Sequence, residues 1–189
     1  MMEPDHREES NKKGFCNKHF DMLYASSNKL PLALVLDTHL EEIRRELSNI
    51  HVNKKKGFFS KTPEKSALSE MVNSCMICEK IEKNMNRYCN VLLQMWQEDD
   101  EFRNKFENSQ GFCIPHFEKL YSMSNNTEFL NALLQKEKKE LELIQADIHK
   151  FTLKFDYRNK DMEWGTAQDA PIRTIEKISG YMNTVNDEE

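Results

Sequence analysis

The segment GFCNKHF at residues 14–20 recurs as GFCIPHF at residues 111–117, and CMIC occupies 75–78 between the two copies. Cysteine thiolates and histidine imidazoles are the ligands zinc prefers, and a pair three residues apart supplies two of them from one turn of chain. Cys75 with Cys78 makes one such pair, Cys113 with His116 a second, and Cys16 with His19 a third. If a helix begins near Pro115, Cys113 and His116 fall on one side of its first turn. The positive end of that helix also favours the Cys113 thiolate. The expected site is Cys3His, built from Cys75, Cys78, Cys113 and His116, with zinc as the cofactor. Four protein ligands fill a tetrahedron and leave no position for water or substrate, so the expected role is structural. Such a site would clamp the start of a helix at 77–96 to the start of a helix at 112–124.

Two other readings of the same residues stand beside this one. The cysteines could be buried thiols, with His116 a capping or core residue. CMIC could also be a redox pair, although it lacks the strand-to-helix setting in which thiol-disulfide exchange proteins carry that motif.

The first copy poses a question of its own. At the spacing of the second copy, a Cys-x-x-Cys for Cys16 and His19 would fall upstream of Met1. Either the first unit has decayed or the chain begins inside it; the second is the expectation, which leaves Cys16 and His19 as an orphan pair able at most to bind metal across a dimer. Cys89 has no Cys or His at chelating distance in sequence and is the expected outsider.

The elements that must position these residues read as helical. Five glycines and five prolines in 189 residues leave little turn chemistry for a sheet. Leu32, Leu36, Leu40, Ile43, Leu47 and Ile50 step by three or four residues and predict one apolar helical stripe. Leu130, Leu133, Leu134, Leu141, Ile144, Ile148 and Phe151 predict another, and Gly111 is placed to end a helix at 100–109. Beyond the motif itself, Gly14, Phe15, Cys16, His19, Phe20, Leu23, Tyr24, Ser27 and Asn28 match Gly111, Phe112, Cys113, His116, Phe117, Leu120, Tyr121, Ser124 and Asn125. Each copy is followed by a long amphipathic pattern, so duplication of one helical unit is the simplest account. In EWGTAQDAPIRTIEKISGYM, Asp169 is a candidate N-cap, Pro171 fits a first turn and Gly180 a stop. That helix should pack through Ile172, Ile175 and Ile178, with Trp164 buried against the body.

The expected fold is all-α, a helical bundle of two related units, the second stapled by the Cys3His zinc site. Residues 1–52 form the first unit, 53–65 a basic linker, 66–160 the second unit, and 161–189 a C-terminal segment with a short helix and a frayed tail. The linker reading of NKKKGFFSKTPEK rests on its lysines, Gly57 and Pro63. A minor alternative has Phe58 and Phe59 inserting into an acidic surface beside Lys54, Lys55 and Lys56.

A formal net charge of −5 argues against a general nucleic-acid binder, which needs a clustered positive field. No apolar run reaches the roughly 20 residues that span a bilayer, and the first residues lack the basic and apolar regions of a signal peptide. An odd number of cysteines, five, without an export signal fits reduced thiols or metal ligands, and a cytoplasmic location is expected.

The segments CMIC, GFCNKHF, GFCIPHF and WGTAQDAPIRTIEKISG resemble an uncharacterised bacterial family, a domain of unknown function, over nearly the whole chain. The resemblance implies a helical fold in which Cys-x-x-Cys and Gly-Phe-Cys-x-x-His elements are paired twice, the first Cys-x-x-Cys lying near the N-terminus. This sequence departs by lacking that first element. No activity comes with the resemblance.

Signatures of an enzyme are missing from the sequence: there is no Gly-rich phosphate loop, no Gly-x-Ser-x-Gly and no His-Glu-x-x-His. The carboxylates of QEDDEF and KEKKELELIQAD read as helix starts and solvated faces. His39 and His149 read as packed or surface residues. The leading expectation is a non-enzymatic, zinc-stabilised scaffold for another protein or for a homodimer. The alternative is a redox- or metal-responsive thiol sensor, in which oxidation of Cys75, Cys78 or Cys113 releases zinc.

Overall fold

The computed structural model describes residues 3–50 and 67–181. All regular structure among them is helical. The expected linker at 53–65 and the tail beyond Asn183 lie outside the described residues. The chain forms two compact units, Met1–Asn86 and Arg87–Glu189. The first extends past the expected limit at residue 52, because the helices after the linker group with those before it.

In the first unit, α1 (Pro4–Lys13) leads into α2 (Asn17–Ala25) and α3 (Leu30–Ser48), followed by α4 (Ala67–Asn73) and the first part of α5 (Met76–Glu98). The helix α1 was not foreseen from the sequence. Pro4 suits its first turn, where an N–H has no helical partner in any case. Its side chains tie it to α3. The Arg7 guanidinium donates to the Leu34 carbonyl at 3.1 Å, the Thr38 hydroxyl donates to Asn11 Oδ1 at 2.7 Å, and His39 Nδ1 lies 2.7 Å from the Asn11 carbonyl. Phe15, Val35, Cys75 and Met76 form the buried core, with Phe20, Leu23 and Ile77 packed against it. Phe15 and Phe20 meet edge to face at 5.4 Å between centroids, the arrangement ring quadrupoles favour.

The predicted stripe on α3 divides. Leu32, Val35 and His39 are buried, whereas Leu40, Leu47 and Ile50 are 56%, 51% and 49% exposed. The reason is the short reach of α1, whose bonds to α3 run from Leu34 to His39.

In the second unit the remainder of α5 is followed by α6 (Asp100–Glu107), α7 (Ile114–Met123), α8 (Thr127–Leu153), two 3-10 turns (Tyr157–Asn159 and Gly165–Ala167) and α9 (Ala170–Ser179). Two of the helix starts, those of α6 and α8, are capped by side chains. Asp99 Oδ1 accepts the Phe102 N–H at 3.0 Å, and Asn126 Oδ1 accepts those of Glu128 and Phe129 at 2.9 and 3.1 Å. Each such cap stabilises its helix by about 1 kcal/mol. The aromatic core centres on Phe129, with Trp96 at 5.3 Å and Phe106 at 5.9 Å. Trp164 packs on Phe151 at 5.4 Å but stays half-buried, not fully covered as expected.

The α9 helix has the predicted start and stop, Pro171 in its first turn and Gly180 at φ 89° after its last, but not the predicted face. Ile175 and Ile178 are 42% and 59% exposed, while Ala170 and Lys177 are buried. Electrostatics sets the rotation. Lys177 Nζ meets Glu137 Oε1 of α8 at 2.6 Å, and Arg173 bridges Asp147 at 2.8 Å and Asp169 at 2.9 Å. Asp169 holds the N-cap position, yet its carboxylate serves Arg173 instead of a backbone N–H. Arg173 pulls the Asp147 carboxyl below its ordinary value, helped by the Thr166 hydroxyl.

If the α3 stripe is divided as described, Leu32→Ala should cost about 2–5 kcal/mol of unfolding free energy. Leu47→Glu should stay within about 0.5 kcal/mol, as exposed substitutions do. Urea denaturation of both variants reads the difference, and similar losses would contradict it.

Candidate metal centre

Two helix starts meet in the first unit. After α1, the chain turns at Gly14, whose φ of 61° is a left-handed conformation that favours glycine. A Cβ there would lie 2.6 Å from His39 Nε2, so glycine also lets the turn seat on the imidazole. The turn delivers Cys16 to the N-cap of α2, in extended backbone with no capping hydrogen bond from its side chain, and His19 to the first turn. Cys75 stands just before α5 and Cys78 in its first turn.

The two starts are bonded to each other. The Met76 N–H, which has no partner inside its own helix, donates to the Gly14 carbonyl at 3.1 Å. The Ser74 hydroxyl donates to the Lys13 carbonyl at 2.9 Å. Around them, Lys13 pairs with Glu79, and Lys80 lies 3.3 Å from Glu9. These exposed pairs contribute at most about 1 kcal/mol each. They are alignment, secondary to the backbone bonds.

The result is that Cys16 Sγ, Cys75 Sγ, Cys78 Sγ and a His19 ring nitrogen all lie within 4.8 Å of one another. His19 Nδ1 is 3.2 Å from Cys16 Sγ, 3.4 Å from Cys75 Sγ and 3.3 Å from Cys78 Sγ, and the Cys16 and Cys78 sulfurs are 3.8 Å apart. A single ring N–H cannot serve three sulfurs, but one ion among them can. Zn–S bonds of about 2.3 Å and a Zn–N bond of about 2.0–2.1 Å imply tetrahedral edges of about 3.8 Å between sulfurs and about 3.6 Å from sulfur to nitrogen. The sulfur–sulfur edge fits, and the sulfur–nitrogen edges are a few tenths of an ångström short of it.

The charge pattern also suits a cation. Burial works to raise the Cys75 thiol, but the backbone N–H groups of Cys78 and Cys16, with His19 and the Cys78 thiol, outweigh it and bring the thiol to about 6. The neighbouring Cys75 sulfur pushes Cys78 up to about 11, with burial and Cys16 adding to the effect. Without a cation, three sulfurs at this separation cannot all be charged; a divalent ion removes that repulsion and displaces the remaining protons.

The ligand set expected from the sequence is therefore divided. Cys75 and Cys78 meet Cys16 and His19, the pair expected to be orphaned. Cys113 and His116 meet each other, with Sγ and Nδ1 3.0 Å apart, and stand outside that four-residue group. The physical reason is the docking of the 13–16 turn on the start of α5, a long-range contact that motif order does not encode. Cys89 is buried and also outside the group. Two residues were missed. His39, read as a packed or surface histidine, is the seat for Gly14. Glu137, read as part of a solvated face, is buried and accepts the Phe112 N–H at 3.2 Å. A carboxylate between Leu134 and Leu141 on the α8 stripe was the available signal.

Comparison with known protein families matches residues 1–185 to a family of unknown function (DUF6062). No curated protein and no solved structure matches the chain.

Gly14→Ala should lose more stability than Gly165→Ala. Both place a side chain at positive φ, at about 1–2 kcal/mol, but a Cβ at Gly165, where φ is 54°, meets only the end of Lys150 at 3.2 Å. Chemical denaturation reads the extra cost of the His39 contact, and equal losses would remove His39 as the seat of the turn.

Proposed function

The chain belongs to the family of unknown function DUF6062, and we propose that it is a zinc-stapled helical scaffold for protein–protein contact. The observation that carries the reading is the convergence of Cys16, His19, Cys75 and Cys78 within 4.8 Å. Zinc is assigned on ligand chemistry, since three thiolates and one imidazole are a set it favours. With all four positions filled by protein, the ion clamps the starts of α2 and α5 and offers no site for substrate. Duplication of one helical unit belongs to the same reading. It is supported by the shared order of a helix, a positive-φ glycine turn, a helix with Cys at its N-cap position and a long helix in both units.

The contact role is supported by Leu40 and Leu47 on α3 and Ile50 just beyond its end, large apolar side chains that are exposed; such patches mark interaction surfaces when they are contiguous. A net charge of −5 favours a protein partner over nucleic acid. Among the described residues no helix is long and apolar enough to cross a membrane.

Elemental analysis of protein purified without added metal or affinity-tag histidines tests the staple. The wild type should carry tightly held zinc, and Cys16→Ser should lose it together with a lowered melting temperature. A full equivalent of zinc per chain retained by Cys16→Ser would overturn the ligand set and return the assignment to Cys75, Cys78, Cys113 and His116.

One observation favours the sensor reading as an alternative. Cys78 is exposed while Cys75 is buried, which leaves one ligand open to oxidants. Peroxide would take two electrons from the Cys75 and Cys78 thiolates, forming their disulfide and water and releasing the ion. Mild peroxide with a zinc-binding dye separates the two: a sensor releases zinc reversibly with reductant, and a scaffold holds it.

A further inference from the structure

We propose that Cys113 and His116 are half of a second zinc site, completed by the same two residues of a second copy of this chain. This site rests on the zinc chemistry proposed above, but not on the same ligands. Its local geometry reproduces the half-site of the first unit. Gly111 turns at φ 71° as Gly14 does at 61°. Cys113 takes the N-cap of α7 at φ −68° and ψ 153°, against −74° and 164° for Cys16, and neither sulfur caps its helix. The Sγ–Nδ1 separation is 3.0 Å in one pair and 3.2 Å in the other. The turn is held from behind by Glu137, which takes the Phe112 N–H, and by Lys177, which donates to the Gln110 carbonyl at 3.3 Å. The two ligands are thus held in place before any ion arrives.

What differs is the completion. Cys16 and His19 find Cys75 and Cys78, whereas among the described residues no group of three or more ligands includes Cys113 or His116. Zinc held by two protein ligands is incomplete. A symmetric dimer repairs this with no new residue type. A two-fold axis through the ion presents the same pair twice and gives a tetrahedral Cys2His2 site, with each Cys113 thiol giving up its proton.

The surroundings suit such an approach. Cys113 lines an open groove with Phe112, Ile144 and Arg173. The end of α9 is close by, since a Cβ on Gly180 would lie 3.8 Å from Cys113 Sγ. On these two helices Tyr121 is 47% exposed and Ile175 and Ile178, which the predicted packing would have buried, are 42% and 59% exposed. They would supply apolar surface to an interface that the ion anchors.

Light scattering after size exclusion, in reductant and over a zinc titration, tests the proposal. The wild type should bind about half an equivalent more zinc per chain than its Cys3His site requires and become a dimer that a chelator dissociates. Cys113→Ser and His116→Ala should each weaken dimerisation by more than the roughly 10–100-fold that losing a group hydrogen-bonded behind a metal ligand costs. Both should keep the zinc held by Cys16, His19, Cys75 and Cys78. Cys16→Ser, if folded, should still dimerise with zinc, so loss of the first site and loss of the second are read separately. Cobalt in place of zinc reports two thiolates per ion in the dimer site and three in the other. A wild type that stays monomeric at every zinc concentration would overturn the proposal. So would a dimer that persists in Cys113→Ser, or one that reductant dissolves and chelator does not, which would be a Cys113 disulfide.

Discussion

The first unit depends on one contact, the seating of the Gly14 turn on the start of α5. The Met76 N–H and the Ser74 hydroxyl donate into the carbonyls of Gly14 and Lys13, so the starts of α2 and α5 are joined through the turn between α1 and α2. Their thiols are drawn to one point by the same bonds that join the backbones. Phe15, Val35 and Met76 pack around the junction, and the sulfurs therefore close one edge of an apolar core. A metal ion there would strengthen what the backbone has already aligned, as metal binding adds to folding free energy.

Both units solve the same packing problem with different chemistry. A glycine turn must rest against a long helix, and in each case the third buried residue of that helix provides the rest: His39 after Leu32 and Val35, Glu137 after Phe129 and Leu133. An imidazole bonded to the Asn11 carbonyl is close to neutral packing. A buried carboxylate is expensive unless its charge and lone pairs are answered, so the second unit brings in Lys177 from α9. That requirement turns α9 about its axis and leaves Ile175 and Ile178 outward. A pair of charges, more than apolar matching, decides which face of the last helix is covered.

Much of the helical content was legible, because it depends on local properties. Leucine spacing, the rarity of glycine and proline, Pro171 and Gly180 all act within a few residues of where they stand. The cysteine and histidine pairs were legible for the same reason, as was the positioning of Cys113 at a helix start, since a Cys-x-x-His pair reads on a single turn. The stripe on α3 was read too far, because periodicity shows that a helix has an apolar face without showing how much of it a neighbour covers. Here α1 covers it only as far as His39.

What the sequence by itself determined is the all-helical architecture, the three Cys/His pairs and the turns that display them, all properties of short stretches of chain. Only the tertiary structure decided that Cys75 and Cys78 join Cys16 and His19, that Glu137 is buried with Lys177, and that the isoleucines of α9 face outward. Each of these is a choice among partners distant in the chain, made by backbone hydrogen bonds and buried charges whose energies depend on where whole helices meet.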